Sequence, residues 1–222
     1  MEKIIKIEEE SPSISLEIDL IKENQKLAEE NRKFLRKHGV KAIDIMGSIG
    51  VGKTALIEQL VSRLKGKYNI AVVNGDLTTT IDADAIKKHG VKVIQINTGK
   101  ECHLDANMVK KAFGHLNLKN ISLIFIENVG NLICPTDFSL GSDSRLLIVA
   151  VTQGPYVAVK HPLSFTTADV VAINKIDLTN LLSVDLDKLE KDIKTINPEI
   201  KIVRTDCKNG IGIDKLINAL KL

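Results

Sequence analysis

The chain has 222 residues, enough for one sizeable α/β domain, and nothing in its composition divides it into two independent cores. Its formal charge of +3 arises from 31 basic and 28 acidic residues that are interspersed, which argues against nucleic acid or an anionic membrane as a partner. No apolar run approaches the roughly 20 residues that span a bilayer, and the opening MEKIIKIEEE has no signal-peptide core, so the expected location is the cytoplasm.

Residues 1–15 are acidic and irregular, with a short strand at Ile4–Ile7 the one element they suggest. From Leu16 to His38 the pairs Leu20/Ile21, Leu27/Ala28 and Phe34/Leu35 recur every seven residues, which predicts one amphipathic helix ended by Gly39. Its apolar stripe should pack on the domain, a partner helix being the alternative. A buried strand over Val40–Met46 and a helix over Ala55–Leu64 follow. Further strands are expected at Asn69–Asn74, Val91–Ile96, Ile121–Ile126, Leu146–Val151, Val170–Asn174 and Lys201–Arg204, with helices near 82–89, 104–115, 185–196 and 212–221. Such alternation predicts an α/β fold with a mainly parallel sheet flanked by helices. The composition agrees: 44% of residues are apolar, yet only two Tyr, five Phe and no Trp are present, so aliphatic side chains must fill the core. The expected division is an N-terminal extension over 1–38 and the α/β domain over 39–222.

Between the first strand and its helix lies Gly47-Ser48-Ile49-Gly50-Val51-Gly52-Lys53-Thr54, which fits G-x-x-x-x-G-K-[ST]. Its glycines let the backbone curl so that N–H groups point at phosphate oxygens, and the following helix adds the positive end of its dipole. Lys53 is expected on the β and γ phosphates and Thr54 on Mg²⁺. A second motif, Asn174-Lys175-Ile176-Asp177, follows the strand VVAI about 120 residues later. A carboxylate at 177 can accept both the ring N–H and the exocyclic amine of guanine, a pair of donors that adenine lacks. Sites built to hydrogen-bond one edge can reject an analogue by about 10⁴ to 10⁵, so GTP is favoured over ATP. Asn174 would hold the loop and the base, and the Lys175 stem would lie along the ring. Near the C-terminus, Thr205-Asp206-Cys207-Lys208 either offers backbone to the base or forms a surface loop.

Asp76 follows IAVVNG and Glu127 ends ISLIFI, so both carboxylates should project from strand ends toward Mg²⁺. A helix or turn cap is the alternative for each. Glu127-Asn128-Val129-Gly130 has Glu where most GTPases have Asp in an Asp-x-x-Gly switch, and the Gly130 N–H could reach the γ-phosphate. No Gln is evident to orient the attacking water, and no arginine finger is assured, which implies slow turnover unless a second chain contributes.

The remaining feature is Cys102-His103, in Thr98-Gly99-Lys100-Glu101-Cys102-His103-Leu104-Asp105-Ala106, together with Cys134, 32 residues after Cys102. Thiolate and imidazole suit Zn²⁺ and Ni²⁺. Adjacent Cys and His cannot share a helical face, so an irregular segment is required. Three ligands leave a site incomplete, and a symmetric dimer would bring a second set. A buried apolar thiol at 134 and a surface His103 form the competing reading. His38, His89, His115 and His161 have no paired Cys and are expected on the surface or at helix ends.

TGKECHLDA, IENVGNLICPTDFSLG and NKIDL together with GSIGVGKT resemble the HypB family of nickel-insertion GTPases, which belong to the SIMIBI class of P-loop GTPases and serve hydrogenase maturation. The similarity runs from about Glu23 to the C-terminus. It implies GTP hydrolysis coupled to homodimer formation and to transfer of Ni²⁺ into a hydrogenase large-subunit precursor, with a HypA-like metal-handling partner. It implies phosphate and Mg²⁺ binding by Gly47, Gly52, Lys53 and Thr54, Mg²⁺ support from Asp76 and Glu127, guanine binding by Asn174, Lys175 and Asp177, and metal ligation by Cys102, His103 and Cys134. Some members carry an N-terminal Cys-rich nickel motif or a His-rich tract. Neither is present in this sequence, which leaves the GTPase-domain site as the expected nickel site. Related alternatives are a urease GTPase, whose metal loop should read Cys-Pro-His, and a cobalamin-enzyme GTPase, which needs neither Cys102 nor Cys134. A metal-binding scaffold with a vestigial nucleotide site is the alternative of another class.

Overall fold

Seven strands form one sheet in the computed structural model, which describes residues 14–222. They are β1 (Lys41–Met46), β2 (Ile70–Asp76), β3 (Lys92–Asn97), β4 (Leu123–Glu127), β5 (Ser144–Ala150), β6 (Val170–Asn174) and β7 (Lys201–Arg204). Their spatial order is β3-β2-β4-β1-β5-β6-β7, and every neighbouring pair is parallel. The mainly parallel sheet expected from the sequence is therefore wholly parallel, with β1 at its centre. The strand suggested at Ile4–Ile7 lies outside the described residues.

The helices are α1 (Ile14–Lys37), α2 (Lys53–Leu64), α3 (Ile81–Lys87), α4 (Ala106–Gly114), α5 (Val157–Lys160), α6 (Pro162–Thr166), α7 (Thr179–Leu182), α8 (Leu186–Ile196) and α9 (Ile213–Ala219). Alternation along the strands sends Ile43, Ile45, Phe125 and Ile148 to the face covered by α2 and α9. Ala42, Val73 and Ile126 face α4 and the end of α1, while Met46, Leu147 and Val149 face α5, α6 and α8. Both faces are thus sealed, which is why the central strands read as continuous apolar runs. Among the described residues no helix is long and apolar enough to cross a membrane.

The N-terminal helix docks differently from the apolar pairs in its sequence. Leu20 and Phe34 are exposed, and the inward stripe is Asn24, Ala28, Asn31 and Leu35, with Ile21 half-buried. Asn24 Nδ2 donates to the Ser139 carbonyl at 2.8 Å, and its Oδ1 accepts from the Ala106 N–H at 2.8 Å. Asn31 Nδ2 donates to the carbonyls of Ala106, at 2.8 Å, and Leu140, at 3.2 Å. Two buried amides thereby satisfy backbone groups of two separate loops, because a buried peptide group without a partner is costly.

Candidate nucleotide and metal site

Motif residues gather at the carboxyl edge of the sheet, where open parallel sheets bind ligands. After β1 the chain turns through Gly47–Gly52 and enters α2 at Lys53, two residues earlier than its apolar periodicity suggests. Gly52 has φ +100°, and a Cβ there would stand 2.5 Å from Asn174 Nδ2, so both conformation and space call for glycine. No side chain caps α2, which leaves its first N–H groups turned to the cradle. Within the loop, Val51 is buried, Ile49 is an exposed tip, and the Lys53 ammonium makes one long bond of 3.3 Å to the Ser48 carbonyl. Burial holds Lys53 below the usual lysine range, against the opposing pull of Glu127, Asp82 and Asp76. A buried ammonium with unused donors, facing a ring of peptide N–H groups, is built for an anion.

Glu127 lies at the end of β4, only 2% exposed. Its Oε1 accepts from Thr54 Oγ1 at 2.9 Å and its Oε2 from Asn74 Nδ2 at 3.0 Å. Burial pushes its carboxyl up to about 7, although the Lys53 charge and the Thr54 bond favour ionisation. Asn74 is paired with Glu127 across the β2–β4 register, and its Oδ1 is a buried acceptor with no partner. Asp76 ends β2 with Oδ1 accepting from the N–H groups of Thr78, at 2.9 Å, and Thr79, at 2.7 Å. Burial works to raise its carboxyl, yet these turn bonds bring it below the usual range. A hydroxyl, two carboxylates and an unpartnered amide oxygen form a set of hard oxygen donors that fits Mg²⁺.

On the other side of the cradle, Asn174 ends β6 and ties three segments together. Its Nδ2 donates to the Val51 carbonyl at 2.7 Å, and its Oδ1 accepts from the Cys207 N–H at 3.0 Å and from Thr205 Oγ1 at 3.3 Å. Lys175 adopts the left-handed conformation at φ +61°, which costs a non-glycine residue about 1–2 kcal/mol, and its ammonium reaches the Gly50 carbonyl at 2.6 Å. Asp177 is exposed, and among the described residues nothing hydrogen-bonds to its carboxylate. The Cys207 side chain is 3% exposed within the core, so only the backbone at 207, with exposed Lys208, can face a base.

The switch-like segment rests directly on the phosphate loop. Gly130 is so close to Ile49 that a Cβ would collide with its side chain and come within 3.1 Å of its backbone nitrogen, and Gly47 forms an antiparallel bridge with Asn131. Four residues beyond Gly130, Cys134 opens a short 3-10 turn. One ligand atom from each of Cys102, His103 and Cys134 lies within 4.8 Å of the others. Cys102 and His103 occupy the irregular segment ahead of α4, as adjacent ligands require, and the His103 ring stacks on Phe138 with centroids 4.0 Å apart. The Cys134 sulfur, then burial, raises the Cys102 thiol, while burial holds His103 below the usual imidazole range. An imidazole beside two cysteine sulfurs can hold a borderline or soft divalent ion. Of the other histidines, His38 and His115 lie at helix ends, and His89 pairs with Glu58 at 3.1 Å.

Sequence reasoning missed four contributors. Asn74 sits two residues before Asp76, so strand alternation was its signal. Asn128 stood inside the quoted switch motif, and Arg145 came immediately before the strand expected at Leu146–Val151. Gln153, whose Oε1 accepts from the Ala150 N–H at 2.9 Å and whose Nε2 donates to Ser48 Oγ at 3.1 Å, carried no signal.

The sheet order and this cradle define a P-loop nucleotide-binding protein of the SIMIBI type. A family model described as "CobW/HypB/UreG, nucleotide-binding domain" matches residues 41–204. The chain is 50% identical over 203 residues to the probable hydrogenase maturation factor HypB of Methanocaldococcus jannaschii, covering 91% of this chain and 92% of that protein. To hydrogenase maturation factor HypB of Escherichia coli K12 it is 38% identical, covering 94% and 72%. Among solved structures, HypB from Archaeoglobus fulgidus matches with TM-score 0.84 at 43% identity over 90% of this chain and 97% of that one. HypB from Helicobacter pylori in complex with nickel gives 0.85 at 33% identity over 90% and 94%. The signal recognition particle receptor FtsY of Elizabethkingia anophelis, at 0.55 and 16% identity, shares the fold alone. The chain belongs to the HypB family of hydrogenase maturation factors.

Proposed function

We propose that this protein is a Mg²⁺-dependent GTPase that binds nickel at Cys102, His103 and Cys134 and delivers it during hydrogenase maturation, with nucleotide state setting its hold on the metal. One observation carries the reading: the loop that rests on the phosphate cradle at Gly130 continues, four residues later, into a metal ligand. A γ-phosphate that draws in Gly130 must therefore displace Cys134, and the coupling between the two ligands is reciprocal.

In this reading Gly47, Ser48, Ile49, Gly50, Val51, Gly52, Lys53 and Thr54 hold the phosphates, and Thr54, Asp76 and Glu127 hold Mg²⁺. Bound there, Mg²⁺ would neutralise charge on the transferred phosphoryl group. Lys53 supplies a fixed positive charge to the same oxygens, Asp177 reads the guanine edge, and Asn174 and Lys175 lock the base loop onto the cradle. The backbone at Cys207 and Lys208 closes the base pocket. Gln153 is engaged at both ends of its amide and so is not free to aim a water, which supports slow turnover by the single chain.

Nickel is the cargo favoured by the relative solved with nickel, and zinc is compatible with the same donors. Three ligands leave a fourth position open. Exposed Ile49, Ile133 and Leu163 surround the switch and metal segments, which supports GTP-dependent pairing of two copies there. A cleft of about 560 Å³ joins the triad, at His103 and Cys134, to Leu20 and Leu27 of α1. It supports docking of a HypA-like metal-handling protein; the recipient in this reading is a hydrogenase large-subunit precursor, as the maturation role of the relatives suggests, and the location is the cytoplasm. Phosphate release from GTP and ATP, with and without Mg²⁺, tests the enzyme assignment. The expected outcome is Mg²⁺-dependent release from GTP only; equal release from ATP, or none from GTP, contradicts it.

A further inference from the structure

The two arms of the metal triad hang from one buried polar cluster that no nucleotide or metal ligand belongs to. Asn128 is fully buried between the β4 end and the switch segment. Its Oδ1 accepts two N–H groups at once, from Val129 in the switch at 3.0 Å and from Leu104, directly after His103, at 3.0 Å. Its Nδ2 points to Asp44 Oδ1 at 3.4 Å, and Asp44 lies in the middle of β1, completely buried. The other oxygen, Asp44 Oδ2, accepts from Arg145 Nε at 2.9 Å. Arg145 then donates to the carbonyls of Thr136 at 3.0 Å, the last residue of the turn that Cys134 opens, and of Phe138 at 3.1 Å, two residues further on.

We infer that Asn128 is a positioning residue that couples the nucleotide-sensing segment to the metal triad, by holding Val129 and Leu104 on one amide oxygen anchored through Asp44 and Arg145. The inference rests on the preceding reading and adds a second route to it. Displacement along the chain reaches only Cys134, whereas the Asn128 oxygen reaches the segment of Cys102 and His103. The two donors occupy the two lone pairs of one oxygen, so a shift of Val129 toward the cradle pulls on the side chain that also holds Leu104. The Asp44–Arg145 pair supplies the fixed post, since a buried, fully bonded ion pair is held in one geometry. Asn128 touches no substrate; it acts through the backbone of its neighbours.

The test measures Ni²⁺ affinity by competition with a metal-sensitive chelating dye in three states: nucleotide-free, with GDP and with a non-hydrolysable GTP analogue. Asn128→Ala removes the shared acceptor. The double variant Asn128→Asp with Asp44→Asn exchanges the two groups. In it the carboxylate introduced at position 128 accepts both N–H groups, while the amide introduced at position 44 donates to that carboxylate and accepts from Arg145. The parent is expected to differ by about tenfold between GDP and analogue states, N128A to fall to within about twofold of no difference, and the exchange to restore most of the difference. A merely structural role would lower thermal stability and leave the ratio intact, so a parental ratio in N128A overturns the inference. An exchange variant that folds and binds GDP yet keeps the N128A ratio also overturns it. Should N128A fail to fold, the exchange variant and N128D alone, which sets a carboxylate against Asp44, carry the same comparison. A parent with equal affinities would refute the preceding reading instead. The nucleotide-free affinity then decides the positioning claim: about fivefold or greater weakening in N128A supports it, and parental affinity overturns it.

Discussion

Glu127 offers the sharpest quantitative prediction, because burial moves its carboxyl from an ordinary 4.5 to about 7. Between these values the folded protein keeps a proton that the unfolded chain has released. Stability from this group is therefore fully present below about pH 4.5 and is lost as pH rises through about 7. The shift corresponds to about 3 kcal/mol, of which roughly 2–3 kcal/mol falls between about pH 5 and pH 8. Glu127→Gln is the control: its amide keeps an acceptor for Thr54 Oγ1 and can donate to the unpartnered Asn74 Oδ1 after a flip of that amide. Urea unfolding of both proteins, with chelator and without nucleotide, isolates the term as a difference between two curves. The parent should lose stability relative to E127Q by that amount as pH rises. Saturating Mg²⁺ should oppose the loss in the parent alone, since the ion displaces the proton. A difference that stays flat across the range would refute the assignment of a buried carboxyl poised to take a cation.

Asp177→Asn should move base preference from guanine toward xanthine nucleotides, read by competition binding, and unchanged GTP selectivity would contradict the base-site assignment. Cys207, 3% exposed and pushed by burial up to about 11, should resist a maleimide at neutral pH while Cys102 and Cys134 react; labelling of all three in folded protein would contradict its placement. Arg145→Met leaves Asp44, whose carboxyl burial already pushes up, without its ion-pair partner. Loss of one partner of such a pair costs about 3–5 kcal/mol, and a fall in the unfolding free energy measured in urea of under a third of that would show the pair to be idle.

The sheet was legible because central parallel strands, buried on both faces, must be apolar throughout, and the phosphate loop because its glycines and lysine cannot be rearranged. Polar residues blurred the edges: β5 starts at Ser144, two residues before its apolar run, since Arg145 lies inside the strand on an ion pair that spacing does not reveal. Three short helices between β5 and α8 have too few turns for periodicity and are broken by Gly154-Pro155 and His161-Pro162. The α1 stripe was misread where Asn24 and Asn31 take inward positions, because apolar spacing says nothing of amides that serve distant carbonyls. At the site, the motifs named residues that the fold gathers at the carboxyl edge of the sheet, and a Cys102, His103 and Cys134 cluster that it brings within 4.8 Å. They did not single out Asn74 or Asn128, whose value lies in what their side chains hydrogen-bond in the fold.

The central claim is that the cradle and the triad are one machine, and a nickel titration read at the thiolate-to-nickel charge-transfer absorption tests it most directly. Titrated with GDP and again with a non-hydrolysable GTP analogue, the protein should give two clearly different affinities, and both should vanish when Cys102 and Cys134 are replaced by alanine. Identical affinities in the two nucleotide states, or nickel binding that survives without the two sulfurs, would contradict the account.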